Sequence, residues 1–316
     1  MKTFTITQND AGQRLDKFIS KAVRLLPQTL LYKYIRLKRI KVNRKRADIS
    51  QKLAVGDVVE MYINDEFFEE APANHAFLQA AKSLRVVFED QNILLADKPP
   101  GLLSHSDNSS DRDTLINRVL RYLHERGEYD PAQENSFAPA LANRIDRNTG
   151  GIVIAAKNAE ALRILNQKIK SRELDKRYLC AVHGTLRQKS AVLSAYLRKD
   201  ADRNKVFISA KPTDDAKEIQ TAYTVLAEKN GLSLLEVRLI TGRTHQIRAH
   251  FAHLGHPLLG DGKYGKNAAD RRAGYKHQTL YSYKLTFDFV SDAGVLNYLN
   301  GRSFSVEDVW FARELF

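Results

Sequence analysis

Cysteine, tryptophan and long apolar runs are nearly absent from this chain of 316 residues. The single cysteine, Cys180, can form neither an intrachain disulfide nor a cysteine-based zinc cluster. No apolar run approaches the roughly 18 residues that cross a bilayer, and the N-terminal stretch MKTFTITQND lacks the basic start and apolar core of a signal peptide. These absences predict a protein of the reducing cytoplasm with no membrane partner.

Acidic residues are scarce relative to basic ones, and the imbalance is concentrated at one end. The net charge is +13. Residues 1–63 hold 14 Lys and Arg against 5 Asp and Glu, a net charge of +9, whereas the remaining 253 residues hold 36 against 32. Such a concentration favours a polyanion partner, and nucleic acid before an anionic membrane, because the segment has no strongly amphipathic basic helix with bulky apolar anchors.

The spacing of apolar residues predicts two short helices and a small β element within residues 1–63. Residues 14–26 have helical periodicity, and Pro27 would end that helix. Thr29 would cap the second helix, and the stretches IKV and VGDVVE predict strands. Cations gather on the second helix and the turn after it, and they are the candidate RNA-binding residues: Lys33, Arg36, Lys38, Arg39, Lys41, Arg44, Lys45 and Arg46.

The rest of the chain is rich in predicted strands. Residues 64–82 are acidic and Ala-rich, as in a linker. From residue 83 onward, helical patterns at 114–126, 158–170 and 244–254 interrupt short strands with hairpin-like spacing. We therefore expect an α+β fold with a mainly antiparallel mixed sheet rather than a doubly wound parallel sheet. The predicted strands are LRVVFED, NILLADK, GIVIAAK, KRYLCAVHG, TAYTVLAE, LSLLEVRLI and LYSYKLTFDF.

A solitary carboxylate, Asp146, lies between Arg144 and Arg147 in the stretch RIDRNTGG. A loop aspartate is usually a cap or a turn former, but nearby guanidinium groups would lower its pKa and keep it ionised. That state suits a nucleophile or a group that stabilises positive charge, rather than a general acid. Hydrolysis of a glycosidic bond normally needs two carboxylates, and the local motif has one.

Histidines are concentrated in the stretch TGRTHQIRAHFAHLGHPLLGDGKYG, where Thr241 or Thr244 would cap a helix. A metal site is one interpretation, but the stretch has no HExxH-like carboxylate and no cysteine. Packing, capping or contact with phosphate is the favoured role, and no metal is expected. The histidines concerned are His245, His250, His253 and His256.

Four motifs occur in order over roughly residues 83–290: DKPPGLLSH, RIDRNTGG, KRYLCAVHG and TGRTHQIRAHFAHLGHPLLGD. Together they resemble the RluA/RluC/RluD-like pseudouridine synthases. The pattern RLDKFI…LLYKYIRLKRIKVNRKRADIS…VGDVVE resembles an S4-type RNA-binding domain. The resemblance implies an S4-type domain at 1–63, a linker at 64–82 and a pseudouridine synthase catalytic domain at 83–316.

The resemblance also implies roles by position. Asp146 matches the catalytic aspartate, Tyr178 the tyrosine that stacks on the target base, and Arg248 the basic residue that pairs with the carboxylate. Arg144 matches an arginine linked to RNA entry and base flipping, and Asn143 replaces a common histidine, which bears on specificity. The expected substrate-binding residues are Arg144, Asn143, Arg243 and His245.

The implied reaction is isomerisation of uridine to pseudouridine in structured RNA, most often large-subunit ribosomal RNA and otherwise transfer RNA. It consumes no water, so a second carboxylate is unnecessary, and no cofactor is expected. A monomer is expected. A non-catalytic RNA-binding or ribosome-assembly protein and a metal-dependent RNA hydrolase are the alternatives. The intact Asp146, Tyr178 and Arg248 set disfavours the first, and a chelator would inhibit only the second.

Overall fold

The computed structural model describes residues 1–69, 75–108, 111–200, 205–265 and 267–316. At the N-terminus, two helices pack on a four-stranded antiparallel sheet whose strand order is β1-β4-β2-β3. Phe18, Ile19 and Leu31 from the helices and Val59 and Met61 from the sheet form its buried core. The elements are β1 (Lys2–Thr5), α1 (Leu15–Ala22), α2 (Gln28–Arg36), β2 (Ile40–Val42), β3 (Lys45–Arg46) and β4 (Val58–Met61).

Two predictions about these helices were wrong. Helix α1 ends at Ala22 instead of continuing to Leu26 before Pro27, and the Leu26 N–H donates to the Val23 carbonyl at 3.1 Å in a turn that follows the helix. Helix α2 begins at Gln28 with Pro27 in the N-cap position, so Thr29 lies inside the helix and does not cap it. Pro27 has φ of −60° and ψ of 142°, so the chain is extended at Pro27 and becomes helical at the next residue.

Residues 64–82 contain two short 3₁₀ helices, Asp65–Phe68 and His75–Gln79. Phe67 packs against the N-terminal core. Phe77 is buried and contacts the ring of His124 with centroids 5.5 Å apart. Part of the predicted linker, residues 70–74, lies outside the described residues.

The larger part of the chain is built on one mixed sheet, which has 11 strands in the described residues. Its main path is β11-β10-β12-β13-β9-β14-β8-β6-β5, with β15 beside β14 and β7 beside β8. The strands are β5 (Arg85–Glu89), β6 (Ile93–Lys98), β7 (Ala140–Leu141), β8 (Gly150–Ala156), β9 (Leu174–His183), β10 (Ser190–Asp200), β11 (Lys205–Ser209), β12 (Lys217–Lys229), β13 (Leu232–Leu239), β14 (Leu280–Phe287) and β15 (Ser303–Ser305).

The prediction of a mainly antiparallel mixed sheet is confirmed, since β14 and β8 form the parallel pair and the other described pairs in this sheet are antiparallel. Every strand predicted from residue 83 onward is present, whereas β7, β10, β11, α6 and the elements after β14 were not predicted. The helices are α3 (Leu115–Glu125), α4 (Ala159–Lys170), α5 (Gln246–His253), α6 (Asn267–Arg272), α7 (Trp310–Leu315) and a 3₁₀ helix (Gly294–Leu299).

Strand β8 is buried along its whole length because helices cover both faces of the sheet there. Val153 and Ala155 pack in the cluster that contains α3. Ile152 and Ile154 pack on the opposite side, in the cluster that contains α4. The run GIVIAA, in which apolar residues do not alternate with polar ones, therefore lies at the buried centre of the sheet. The loop that carries Asp146 leads directly into this strand.

A polar network joins the N-terminal unit to the rest of the chain. The Asp10 carboxylate is fully buried and accepts hydrogen bonds from Asn135 Nδ2 at 2.8 Å and Ser136 Oγ at 2.6 Å. Asn9 Nδ2 donates to Glu134 Oε1 at 2.7 Å. Within the described ranges, no helix is both long and apolar enough to cross a membrane.

Candidate active site

The loop between β7 and β8 carries Asp146 at the entrance to the buried strand. The Thr149 N–H donates to the Asp146 carbonyl at 3.1 Å, which closes a turn. Gly151 follows with φ of 110°, and a Cβ there would lie 2.2 Å from the carbonyl oxygen of Ser282. Only glycine permits both that backbone conformation and the close approach of β14, so the turn fixes where the carboxylate emerges.

Arg248 projects from α5 onto Asp146. Its Nη1 donates to Asp146 Oδ2 at 2.7 Å, and its Nε and Nη2 donate to the two oxygens of Asp261 at 2.7 and 3.0 Å. Asp261 is fully buried and also accepts the backbone N–H of Lys263 at 2.8 Å. A bidentate pair of this kind fixes the plane of the guanidinium, so the third N–H is aimed at Asp146.

Burial shapes the protonation of this cluster. For Arg248, burial opposes the charge, but the carboxylates of Asp261 and Asp146 outweigh it and raise the arginine's pKa. For Asp261, burial would raise the pKa, yet the Arg248 guanidinium and the backbone N–H groups lower it overall. Both groups are therefore ionised at neutral pH, which leaves a permanent cation beside Asp146.

The arginines adjacent to Asp146 in sequence do not supply that cation. Arg144 and Arg147 are exposed, and in the described residues neither forms an ion pair with Asp146. Arg147 Nε instead donates to the carbonyl of Gly101 at 3.0 Å. The prediction that Arg144 and Arg147 are the cations paired with Asp146 was therefore wrong. The pairing of Asp146 with Arg248, which the resemblance implied, is present.

Tyr178 lies on β9, opposite Ser282 of β14 and Val237 of β13. Its side chain is buried, 6% exposed. Burial raises the pKa of Tyr178 to about 12, with the Ser282 hydroxyl opposing the shift and the Asp146 charge adding to it. The hydroxyl stays protonated at neutral pH, and the ring packs in the cluster that contains Ile247 and Phe251 of α5, the helix that carries Arg248.

The other predicted substrate-binding residues divide into two groups. His245 adjoins the carboxylate: its Nε2 is 3.8 Å from Asp146 Oδ2, and its Nδ1 is 2.9 Å from the Tyr264 hydroxyl. Burial lowers the pKa of His245, and the Asp146 charge opposes the shift. Asn143 instead supports the scaffold, because its Oδ1 accepts the N–H of Ile154 at 2.8 Å. Arg243 is exposed and lines a cavity whose described lining does not include Asp146, His245 or Arg248.

The start of α5 differs from the prediction. Neither Thr241 nor Thr244 caps it, because the N-cap residue is His245, in the left-handed region with φ of 52°. The Gln246 side chain reaches back and accepts the N–H of Arg243 at 3.1 Å. Thr241 Oγ1 donates to the same Gln246 oxygen at 2.9 Å. In this arrangement the His245 side chain lies beside Asp146.

Lys98 is part of the site, although the stretch that contains it, DKPPGLLSH, has the residues of a rigid turn and predicted no chemical role of its own. The side chain is fully buried, and its Nζ donates to the carbonyls of Pro99, Leu102 and Arg147 at 3.1, 2.7 and 2.9 Å. Burial lowers the pKa of Lys98 to about 7, with the Asp146 charge opposing the shift. Lys98 Nζ thus ties residues 99–102 to the loop that carries Asp146, through the carbonyl of Arg147.

Of the other histidines in this stretch, His250 and His256 form hydrogen bonds, whereas His253 is exposed. His250 is buried, and its Nδ1 lies 3.1 Å from Thr221 Oγ1. His256 Nδ1 lies 2.9 Å from the carbonyl of His183. Among the residues with described positions, no group of three His, Cys, Asp or Glu side chains is arranged to hold a metal ion.

Sequence reasoning missed Lys98, Asp261 and Tyr264. Tyr264 lies 5.3 Å from the Arg248 guanidinium, measured to the ring centroid, and covers it. Asp261 and Lys98 lie within the quoted motifs, so each motif marked the right segment without indicating which side chain belongs to the cluster around Asp146. Their roles depend on contacts between segments far apart in the chain.

Comparison with known proteins identifies the family of the chain. Residues 92–253 match the family model described as RNA pseudouridylate synthase. The chain is 34% identical over 289 residues to an uncharacterised RNA pseudouridine synthase of Mycoplasma genitalium, covering 90% of this chain and 88% of the relative. It is 29% identical to ribosomal large subunit pseudouridine synthase C of Haemophilus ducreyi, covering 90% and 87%.

The fold has solved counterparts. Human RNA pseudouridylate synthase domain containing 1 superposes with a TM-score of 0.55 at 22% identity, covering 72% of this chain and 84% of that chain. Human RNA pseudouridylate synthase domain containing 4 gives a TM-score of 0.56 at 18% identity, covering 71% and 88%. The chain belongs to the RNA pseudouridylate synthase family, and is thus an RNA pseudouridine synthase, an isomerase.

Proposed function

We propose that the protein converts uridines of large-subunit ribosomal RNA to pseudouridine, with Asp146 as its catalytic carboxylate and without a cofactor. The observation that carries the proposal is the 2.7 Å ion pair between Arg248 and Asp146, beside the buried ring of Tyr178. Two related proteins, one from Haemophilus ducreyi and one from Buchnera aphidicola, are both called ribosomal large subunit pseudouridine synthase C. They support large-subunit ribosomal RNA as the substrate.

The reaction breaks the bond between C1′ of the ribose and N1 of uracil, turns the base, and joins C1′ to C5. The hydrogen on C5 then leaves as a proton and N1 of the turned base gains one, so the product is an isomer of uridine and no water is consumed. Asp146 attacks the sugar or removes a proton from it. Arg248 holds the carboxylate in place, and Tyr178 stacks on the uracil after it leaves the helix. His245, whose Nε2 lies 3.8 Å from Asp146 Oδ2, also contacts the substrate.

The basic N-terminal unit would hold the RNA as an S4-type domain, with 64–82 as the linker and 83–316 as the catalytic domain. The cations assigned to this contact are exposed except for Lys41, which is half-buried. Arg144 would contact the RNA near the target uridine. Contacts of this kind bind phosphates and fix the register of the RNA rather than read its sequence.

The test of the proposal is release of tritium from RNA labelled at C5 of uracil. An in vitro transcript of bacterial large-subunit ribosomal RNA is the first substrate, and a transfer RNA transcript is the second. We expect release by wild type with a chelator present and none by Asp146→Asn, whose RNA binding is retained. Release by Asp146→Asn at the wild-type rate would refute the catalytic assignment, and release from transfer RNA alone would refute the choice of RNA.

The role of the N-terminal unit has its own test. Replacing Arg39, Lys41, Arg44 and Lys45 together by Gln should weaken RNA binding. The slope of log affinity against log salt should become shallower by roughly 0.7 to 0.9 for each phosphate that these side chains no longer neutralise. The substitutions leave the Asp10 network intact, so they avoid the exposed interface that deletion of residues 1–63 would create. Unchanged affinity and salt slope would contradict this role.

A further inference from the structure

A second basic feature lies outside the cluster around Asp146. A cavity of about 320 Å³ lies where the C-terminal end of α4, the start of β9 and the segment after β13 meet. Its lining includes four basic side chains, and none of the described residues that line it is acidic. The cations are Lys170, Arg172, Lys176 and Arg243.

The acidic residues closest in sequence are already paired elsewhere. Glu173 accepts from Lys168 Nζ at 2.7 Å, and Asp175 accepts from Arg177 at 3.0 Å and Arg238 at 2.8 Å. Strand alternation directs Asp175 and Lys176 to opposite faces of the sheet. The positive charge of the cavity is therefore not neutralised by these carboxylates.

Of the four cations, Lys176 gives the strongest indication that the cavity binds an anion. It is half-buried on the central strand β9, whereas Lys170, Arg172 and Arg243 are exposed. Burial lowers the pKa of Lys176, and no carboxylate of the described residues offsets that shift. A half-buried ammonium beside three other cations is costly unless it binds an anion, since attraction strengthens as water is removed.

The cavity adjoins the proposed catalytic residues on two elements. Lys176 and Tyr178 are alternate residues of β9, so their side chains share a face, with Cα atoms about 6.6 Å apart by strand geometry. Arg243 lies just before α5, the helix that carries Arg248. An RNA strand whose uracil stacks on Tyr178 would therefore pass beside the cavity.

We propose that this cavity binds a backbone phosphate of the RNA strand next to the target uridine. The inference rests on the proposed function and deepens it, by assigning Lys176 and its three basic neighbours to a phosphate subsite. Lys176 is a positioning residue there. Since phosphate contacts carry no base information, it contributes to affinity and register and not to the choice of base.

The experiment compares full-length Lys176→Met with Lys229→Met. Lys229 is exposed and lies at the hairpin end of β12, far along the sheet from the cavity, so it matches the loss of one charge. The probes are a large-subunit ribosomal RNA transcript and a short oligouridylate. We expect Lys176→Met to reduce the slope of log affinity against log salt by about 0.7 to 0.9 and to weaken binding at low salt about threefold or more. Lys229→Met should leave both unchanged.

A second variant protects the test against a folding defect. Lys170 is exposed at the end of α4, so Lys170→Met should fold normally and reduce the slope in the same direction. Unchanged affinity and slope in a folded Lys176→Met, or in Lys170→Met where Lys176→Met is unfolded, would overturn the subsite.

Tritium release by the same proteins separates this result from the proposed function. With RNA saturating, Lys176→Met should keep the wild-type turnover while its KM rises. If wild type releases no tritium, the proposed function fails, and the salt slopes still decide whether the cavity binds phosphate.

Discussion

Arg248 binds Asp146 and Asp261 at the same time, through Nη1 at 2.7 Å and through Nε and Nη2 at 2.7 and 3.0 Å. Asp261 is fully buried and Asp146 is one-quarter exposed. The two carboxylates therefore share one guanidinium but differ in access: one anchors the arginine, and the other faces the space that a substrate would enter.

The first prediction concerns the anchor. Asp261→Asn leaves the Arg248 charge buried with a weaker partner, so the free energy of unfolding should fall by about 3 kcal/mol. The turnover number should fall about 10- to 100-fold because the guanidinium is no longer held towards Asp146. Chemical denaturation and single-turnover tritium release measure the two effects.

Asp113→Asn is the matched control for that variant. Asp113 pairs with Arg118 at 2.7 Å but is 44% exposed, so its loss should cost less than about 1 kcal/mol and leave turnover unchanged. A destabilised Asp261→Asn with wild-type turnover would show that Asp261 only supports the fold.

The second prediction separates the ring of Tyr178 from its hydroxyl. Burial holds the hydroxyl protonated, with a pKa of about 12, so stacking needs only the ring. Tyr178→Phe should retain turnover within about tenfold, whereas Tyr178→Leu should lose the stacking energy of about 1 to 3 kcal/mol, or roughly 5- to 150-fold. Equal losses in both variants would point to the hydroxyl instead of the ring, and single-turnover rates distinguish these cases.

The sequence predicted the sheet class and the strands from residue 83 onward because their apolar patterns are strong and local. It missed β10, whose burial is mostly intermediate or exposed, because that strand is defined by pairing with β11 and β12. The pairing of Asp146 with Arg248, 102 residues apart, came only from the family resemblance. Local reasoning chose Arg144 and Arg147, which are adjacent in sequence but extend into solvent.

The third prediction concerns Lys98. Lys98→Met would leave three carbonyls without their shared donor, so the free energy of unfolding should fall by about 2 to 4 kcal/mol. Turnover should fall as well, since the Arg147 carbonyl that Lys98 holds is adjacent to Asp146. The exposed Lys82→Met is the comparison, with an expected change within about 0.5 kcal/mol. Normal stability and turnover in Lys98→Met would contradict the role of Lys98 in holding the two loops together.

The last prediction is a pH dependence of stability that originates in His250. Burial, together with the nearby His253, lowers the pKa of His250 to about 4 in the folded protein, against 6.5 for a free side chain. Between these values the unfolded chain binds the proton and the folded chain does not, so stability is lost as the pH falls from about 6.5 towards 4. The contribution has an upper limit of about 1.4 kcal/mol per pH unit.

His250→Gln keeps a polar group near Thr221 and removes the titration, so its unfolding free energy should fall less steeply over this range. Above pH 7 the difference between the two proteins should be constant, because His250 is neutral there in both the folded and the unfolded chain. Denaturation curves at several pH values measure both slopes, and parallel curves between pH 6.5 and 4 would show that His250 does not bind its proton preferentially in the unfolded chain.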